Sequence, residues 1–232
     1  MNVFDAMTSR RSVRHFQKKD VDDNLIGVML YMATQAPSAG NTQDWHFVVV
    51  KDEKQKEMIA KAALRQGFIV EAPVVIVVCS DLEKISMKFG KRGEMLYSAQ
   101  STAAAVQNMM LSATALELGT CWVGAFDEEE VKSILELPDN MRPMAIVPVG
   151  YPAETPRKHE KIPFEYVTSM NKYGRGYELS LTARPDRQEE KIVGPLSEYL
   201  ESYIEQAKKK LQKKPEKKER ITFSKLLKRL TG

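Results

Sequence analysis

The stretch Ser9-Arg10-Arg11-Ser12-Val13-Arg14-His15-Phe16 sets three guanidiniums and an imidazole within six positions, a density of positive charge that calls for an anion. In an extended segment alternate side chains point the same way. Arg10, Ser12 and Arg14 would therefore share one face, about 13 Å from end to end, with Arg11 and His15 on the other. A membrane, a nucleic acid, a targeting receptor, an acidic neighbour or a cofactor phosphate would each answer that charge. A second polar cluster, "APSAGNTQDW" (36–45), reads as a loop and offers the hydroxyl of Ser38 and the amides of Asn41 and Gln43. Elsewhere the chemistry is sparse. His15, His46 and His159 stand far apart, and Cys79 and Cys121 are the only cysteines. With no CxxC, no HxxxH and no Cys/His cluster, no metal is expected, and the cysteines read as two buried thiols rather than a disulfide. No nucleophile with a base beside it, no GxGxxG and no Walker motif is visible.

The totals remove several of the anions. The longest apolar run, Ala72–Cys79, has the length of a buried strand and falls far short of the roughly 18 residues a membrane span needs. No apolar segment follows the arginines, and Asp5, Asp20, Asp22 and Asp23 interrupt the basic residues, so neither a secretory signal nor a transit peptide is expected and the cytoplasm is. The net charge of +4 is uneven. Residues 205–232 hold eleven Lys/Arg against three Glu, while the remaining residues carry 24 basic and 28 acidic side chains. Nucleic-acid binding is thus not indicated for the body of the chain.

The elements that must position these residues follow from periodicity. Residues 2–9 predict a short helix, and Leu25, Met29, Met32 and Ala33 a second, capped by Asp22 or Asp23. After the 36–45 loop come a strand (46–52), a helix (53–64) and a more buried strand (72–81). Residues 94–118, rich in Ala, Ser and Thr on nearly every face, predict a long buried helix ending at a Gly119 cap. A short strand (120–126), a helix capped by Asp127 and stopped by Pro138, and a last strand (144–152) complete the body. Beyond about residue 168 the composition changes, with amphipathic stripes at 196–211 and 221–230.

Four of these segments together, "SRRSVRHF" (9–16), "APSAGNTQDWHFVVV" (36–50), "GTCWVGAFDEEEV" (119–131) and "IVPVGYP" (146–152), resemble the nitroreductase family of FMN-dependent oxidoreductases in order and spacing. The resemblance covers nearly all of residues 1–167. It implies an α+β, nitroreductase-like fold: a central, mostly antiparallel sheet flanked by helices, in an intertwined homodimer with FMN at the interface. Residues 1–167 would be the FMN-binding domain and 168–232 a C-terminal extension with basic amphipathic helices.

The resemblance also implies roles. Arg10 would hold phosphate and ribityl oxygens with Ser12 beside it, Arg14 would lie at the N1–O2 edge of the flavin, and Arg11 belongs to the same segment. A cation at that edge favours uptake of a hydride. Pro37, Ser38, Ala39, Asn41 and Gln43 would reach the flavin of the partner subunit. Asp44 stands where proline is commoner, which predicts a looser loop and a carboxylate near the site. Trp122, Val123 and Gly124 would pass beside the ring, with the Gly124 N–H near N5. Lys161 would meet the FMN phosphate, with Arg157 and Lys158 as substitutes. The expected activity is hydride transfer from NADH or NADPH to a nitroaromatic, quinone or flavin acceptor by a ping-pong mechanism, with no catalytic side chain because the cofactor carries the chemistry. The segment 64–93 is expected to select the acceptor, with Phe68 and Phe89 available for stacking. Two alternatives stand beside this reading: a flavin-binding regulatory module without turnover, and a deiodinase-like reductive dehalogenase, which "Trp-Val-Gly" disfavours by lacking a hydroxyl. The partner of the basic tail is left open.

Overall fold

A computed structural model describes residues 1–176; the tail and its expected amphipathic helices lie outside the described residues. These residues belong to two compact units, Met1–Lys158 and a second beginning at His159. In the first unit the chain forms helices α1 (Val3–Ser9) and α2 (Asp23–Thr34), strand β1 (Trp45–Val50), helix α3 (Glu53–Ala62) and a single turn α4 (Phe68–Glu71). Strand β2 (Val74–Asp81), helices α5 (Leu82–Arg92) and α6 (Ser98–Ala115), the two-residue strand β3 (Gly119–Thr120), helix α7 (Glu128–Ile134) and strand β4 (Met141–Gly150) follow. In the second unit, Phe164–Val167 make a 3-10 turn and Ser169 pairs with Gly176 across a tight bend.

Aspartate starts the helices. The carboxylates of Asp22, Asp52, Asp81 and Asp127 accept backbone N–H groups at the beginnings of α2, α3, α5 and α7. Each satisfies a donor that the helix itself cannot.

The four strands form one antiparallel sheet in the order β1-β2-β4-β3. The middle strand β2 is apolar at consecutive positions because both of its faces are covered. Val74, Ile76 and Val78 pack with Met29, Ala33, Val106 and Met109 of α2 and α6, while Val75, Val77 and Cys79 pack with Ile59, Ile69 and Val131 on the other side. The small residues of α6 let it lie close to α2 and the sheet. Its buried hydroxyls are satisfied locally, as where Thr102 Oγ1 donates to the Ser98 carbonyl at 2.7 Å.

The sequence reading differs from the structure at four places. Helix α6 starts at Ser98 rather than residue 94, because α5 breaks at Gly90 (φ 55, ψ −149) and a π-helical turn, Gly93–Tyr97, leads into α6. Helix α5 has no counterpart in the periodicity read from the chain. The left-handed residue that ends α6 is Glu117 (φ 63), not Gly119. Leu118 N donates to the Ala113 carbonyl at 2.8 Å and Glu117 N to that of Thr114 at 3.2 Å, the two bonds of a Schellman cap. The strand expected over 120–126 pairs only at Gly119–Thr120 and again where Val123 and Ile146 exchange backbone bonds of 2.9 and 3.0 Å. These pairs keep one register, which sets Pro148 opposite Cys121. Proline has no N–H to donate, so the ladder lapses there.

A left-handed glutamate is strained by roughly 1 kcal/mol or more. Glu117→Gly should therefore raise stability by about 0.5–1 kcal/mol despite the added freedom of the unfolded chain, as read from the midpoint of urea unfolding.

Candidate functional site

The arginine segment lies along the β3 edge of the sheet. Ser12 pairs in parallel with Thr120, and Val13 N donates to the Thr120 carbonyl at 2.9 Å. Further on, Gln17 N donates to the Tyr151 carbonyl and Ala153 N to that of His15, both at 2.9 Å. Two glycines admit the segment. A Cβ on Gly119 would stand 2.7 Å from the Val13 side chain, and one on Gly150 would stand 2.7 Å from Pro73 and 2.9 Å from Phe16. Gly119 and Gly150 are direct cross-strand partners, so together they form a notch into which Val13 and Phe16 seat.

With Val13 and Phe16 buried, the polar residues between them divide by direction. Cys121 shows where Arg10, Ser12 and Arg14 go. Burial pushes its thiol above the ordinary value, while the charges of Arg14 and Arg10 and a hydrogen bond from Ser12 act the other way. Arg10, Ser12 and Arg14 thus all lie in the neighbourhood of Cys121. Arg14 also stands 5.7 Å from the centre of the Phe68 ring, a cation–π contact. Among the described residues neither Arg10 nor Arg14 has a carboxylate within 4 Å. Arg11 turns away and donates through Nη1 to the carbonyls of Thr8 (2.8 Å) and Arg10 (2.7 Å). His15 lies between Glu71 (3.6 Å) and Glu154 (3.9 Å).

Directly after Cys121, Trp122 is 39% exposed and Val123 is buried in the sheet. Gly124 is open: a Cβ there would find only the Trp122 ring within 4 Å. Thr120 Oγ1, on the strand that receives the arginine segment, is the one buried side-chain polar atom without a partner among the described residues. Two uncompensated guanidiniums, a serine hydroxyl and an exposed backbone glycine suit an elongated ligand with an anionic end and a flat polar end. FMN has that character.

The second cluster is a tight loop. Gly40 (φ 53), Asn41 (φ 58) and Gln43 (φ 48) are all left-handed, which for the two non-glycine residues costs about 1 kcal/mol or more each. Hydrogen bonds hold this conformation. Ser38 Oγ accepts from Gln43 N at 2.9 Å, the Ser38 carbonyl accepts from Asn41 N at 3.0 Å, and Ser101 Oγ of α6 accepts from Ala39 N at 3.3 Å. Pro37, Asn41 and Gln43 are exposed, and Ser38 and Ala39 half-buried. The expectation for Asp44 is corrected. Its side chain is 1% exposed, accepts from Ser80 Oγ at 2.7 Å and from Thr42 Oγ1 at 3.3 Å, and so staples the loop to β2 instead of loosening it or charging the site.

The two clusters are not brought together within one chain. The arginine segment borders β3, the loop leads into β1, and β4 and β2 lie between these edges. Adjacent strands are about 4.8 Å apart, so the separation exceeds any hydrogen bond several times over. Lys161 is exposed and belongs to the second unit.

Comparison with known proteins places these features in context. The model of the Nitroreductase family matches residues 7–69 and 60–151. An NADH dehydrogenase of Thermus thermophilus is 33% identical over 195 residues, which span 71% of this chain and 95% of that protein. An FMN reductase (NAD(P)H) of Bacillus subtilis is 26% identical over 191 residues, 77% of each chain. Among solved structures, a nitroreductase family protein from Clostridium novyi NT superposes with a TM-score of 0.61 at 28% identity, covering 76% of this chain and 97% of that one.

The thiols make one prediction. Burial pushes Cys79 up to about 12 from an ordinary 9. The unfolded chain therefore ionises this group first, and folding stability is intact below pH 9 and lost as pH rises toward 12, by about 1.4 kcal/mol per unit. Cys79→Ala should abolish that part of the alkaline slope when denaturation curves are compared between about pH 8 and 11; parallel slopes would contradict it.

Proposed function

The chain belongs to the nitroreductase family, and from that we propose that the face formed by Arg10, Ser12 and Arg14 is one half of its FMN site, completed by the loop 37–43 of a second copy. The protein is an NAD(P)H-dependent oxidoreductase with FMN as cofactor. The observation that carries the site is the pair of guanidiniums that have no carboxylate partner among the described residues, on the segment whose Ser12 pairs with Thr120, two residues before Trp122.

In this reading Arg10 and Ser12 bind the phosphate and ribityl end. Arg14, braced on Phe68, sets a positive charge at the pyrimidine edge. The segment Trp122–Val123 lines the ring, and Gly124 has no side chain of its own to keep the ring from its backbone N–H. Arg11, whose Nη1 is engaged at the end of α1, supports the segment from behind. FMN held by these residues would supply two-electron hydride chemistry between NAD(P)H and the acceptor, in a ping-pong scheme. The acceptor class is a nitroaromatic, a quinone or a free flavin.

Homodimerisation follows from the same layout. The loop and the arginine segment occupy opposite edges of one sheet, so a site using both needs two chains. Helix α1 leaves Val3, Phe4 and Met7 about half exposed, apolar area suited to such an interface.

The test is direct. Purified protein should be yellow or take up one FMN per chain, elute as a dimer, and bleach anaerobically with NADH or NADPH until an acceptor restores the colour. Arg10→Ala and Arg14→Ala should each weaken FMN binding roughly ten- to a hundredfold, the loss of a charge-assisted contact, by fluorescence titration. Unchanged affinity in both would remove the segment from the site, and colour that no nicotinamide bleaches would make the protein a flavin-binding module.

A further inference from the structure

The loop 37–43 receives two lysines that no part of the site above requires. Lys84 and Lys88 lie four residues apart on α5 and so share one helix face. Lys84 Nζ donates to the Gln43 carbonyl at 2.9 Å and Lys88 Nζ to the Gly40 carbonyl at 2.6 Å. Both side chains are exposed, and among the described residues neither has a carboxylate within 4 Å. They are therefore not surface ion pairs that happen to lie near a loop. Their hydrogen bonds end on the carbonyls of two of the three left-handed residues, Gly40 and Gln43, and these carbonyls point out of the loop toward α5.

The contact is tight. A Cβ on Gly40 would stand 2.6 Å from Lys88 Nζ and 2.9 Å from Phe89 Cζ, so α5 lies directly against the turn. Helix α5 is itself held at its start. Asp81 caps it through Lys84 N and accepts from Asn140 Nδ2 at 3.1 Å, and Asp81 N donates to the Asp44 carbonyl at 2.7 Å. The loop is thus fixed from one side by Asp44 and Ser80 and from the other by the two ammonium groups.

We propose that Lys84 and Lys88 are positioning residues for the cofactor: they clamp the left-handed loop in the shape that presents Ser38, Asn41 and Gln43 to the flavin of the partner subunit. This rests on the reading of the loop as a flavin contact. It also makes α5, within the segment expected to select the acceptor, move as one body with that loop.

The test uses the full chain with Lys84→Met and Lys88→Met together, and Lys84→Arg with Lys88→Arg as the conservative pair. Amide exchange of Asn41 and Gln43 in flavin-free protein should quicken at least tenfold in the Met pair and stay near wild type in the Arg pair, with circular dichroism unchanged. FMN dissociation constants should rise about tenfold in the Met pair, be restored in the Arg pair, and be accompanied by a shifted visible circular dichroism band of the bound flavin. Unchanged exchange in the Met pair would overturn the clamp. Faster exchange with unchanged FMN affinity would overturn its role for the cofactor, and Asn41→Ala then separates the causes. If Asn41→Ala weakens FMN, the clamp inference alone fails; if it too leaves affinity unchanged while Arg10→Ala lowers it, the loop was wrongly read as a flavin contact.

Discussion

The notch made by Gly119 and Gly150 decides what the N-terminal segment can do. Both residues lack the one atom that would collide with their neighbours, and they face each other across β3 and β4. Val13 and Phe16 fill the space, and the backbone bonds to Thr120 and Tyr151 fix the register. With those two apolar side chains seated, Arg10, Ser12 and Arg14 are held in the neighbourhood of Cys121. A pair of glycines thereby turns a generic basic stretch into an ordered row of charges. Large residues at either position would leave the same arginines on a solvated arm, attracting any anion and holding none in a defined orientation.

The second half of the site obeys a different constraint. Its loop is rich in backbone strain and poor in apolar contacts, so it depends on polar anchors. Asp44, Ser80, Ser101, Lys84 and Lys88 supply them from several different elements. One half of the site is therefore shaped by packing and the other by hydrogen bonding.

Much of this is legible in the chain. Alternation places Arg10, Ser12 and Arg14 on one face and sends Arg11 and His15 elsewhere, because extended backbone leaves no other choice. The consecutive valines of β2 announce a strand buried on both sides. What does not show has physical reasons. Helix α5 is short, with an apolar stripe of only Leu82, Ile85 and Phe89, and a glycine breaks it. Gly119 reads as a helix cap because glycine usually is one there, yet the cap is Glu117 and Gly119 serves the packing of Val13. Asp44 reads as a charge in the site because its partner Ser80 lies far along the chain, beyond any local pattern. Pro148 shortens a strand with which it shares no local sequence cue. The misses at Gly119, Asp44 and Pro148 concern residues whose role is set by a neighbour distant in sequence.

Distance along the chain has one more consequence. Val13 and Phe16 pack on Ala72 and Phe68, and the groups that fix their register, Gly119, Thr120, Gly150, Tyr151 and Ala153, lie more than a hundred positions away. Contacts of such long range close slowly. The basic arm therefore finds its docking place only once β3 and β4 have paired.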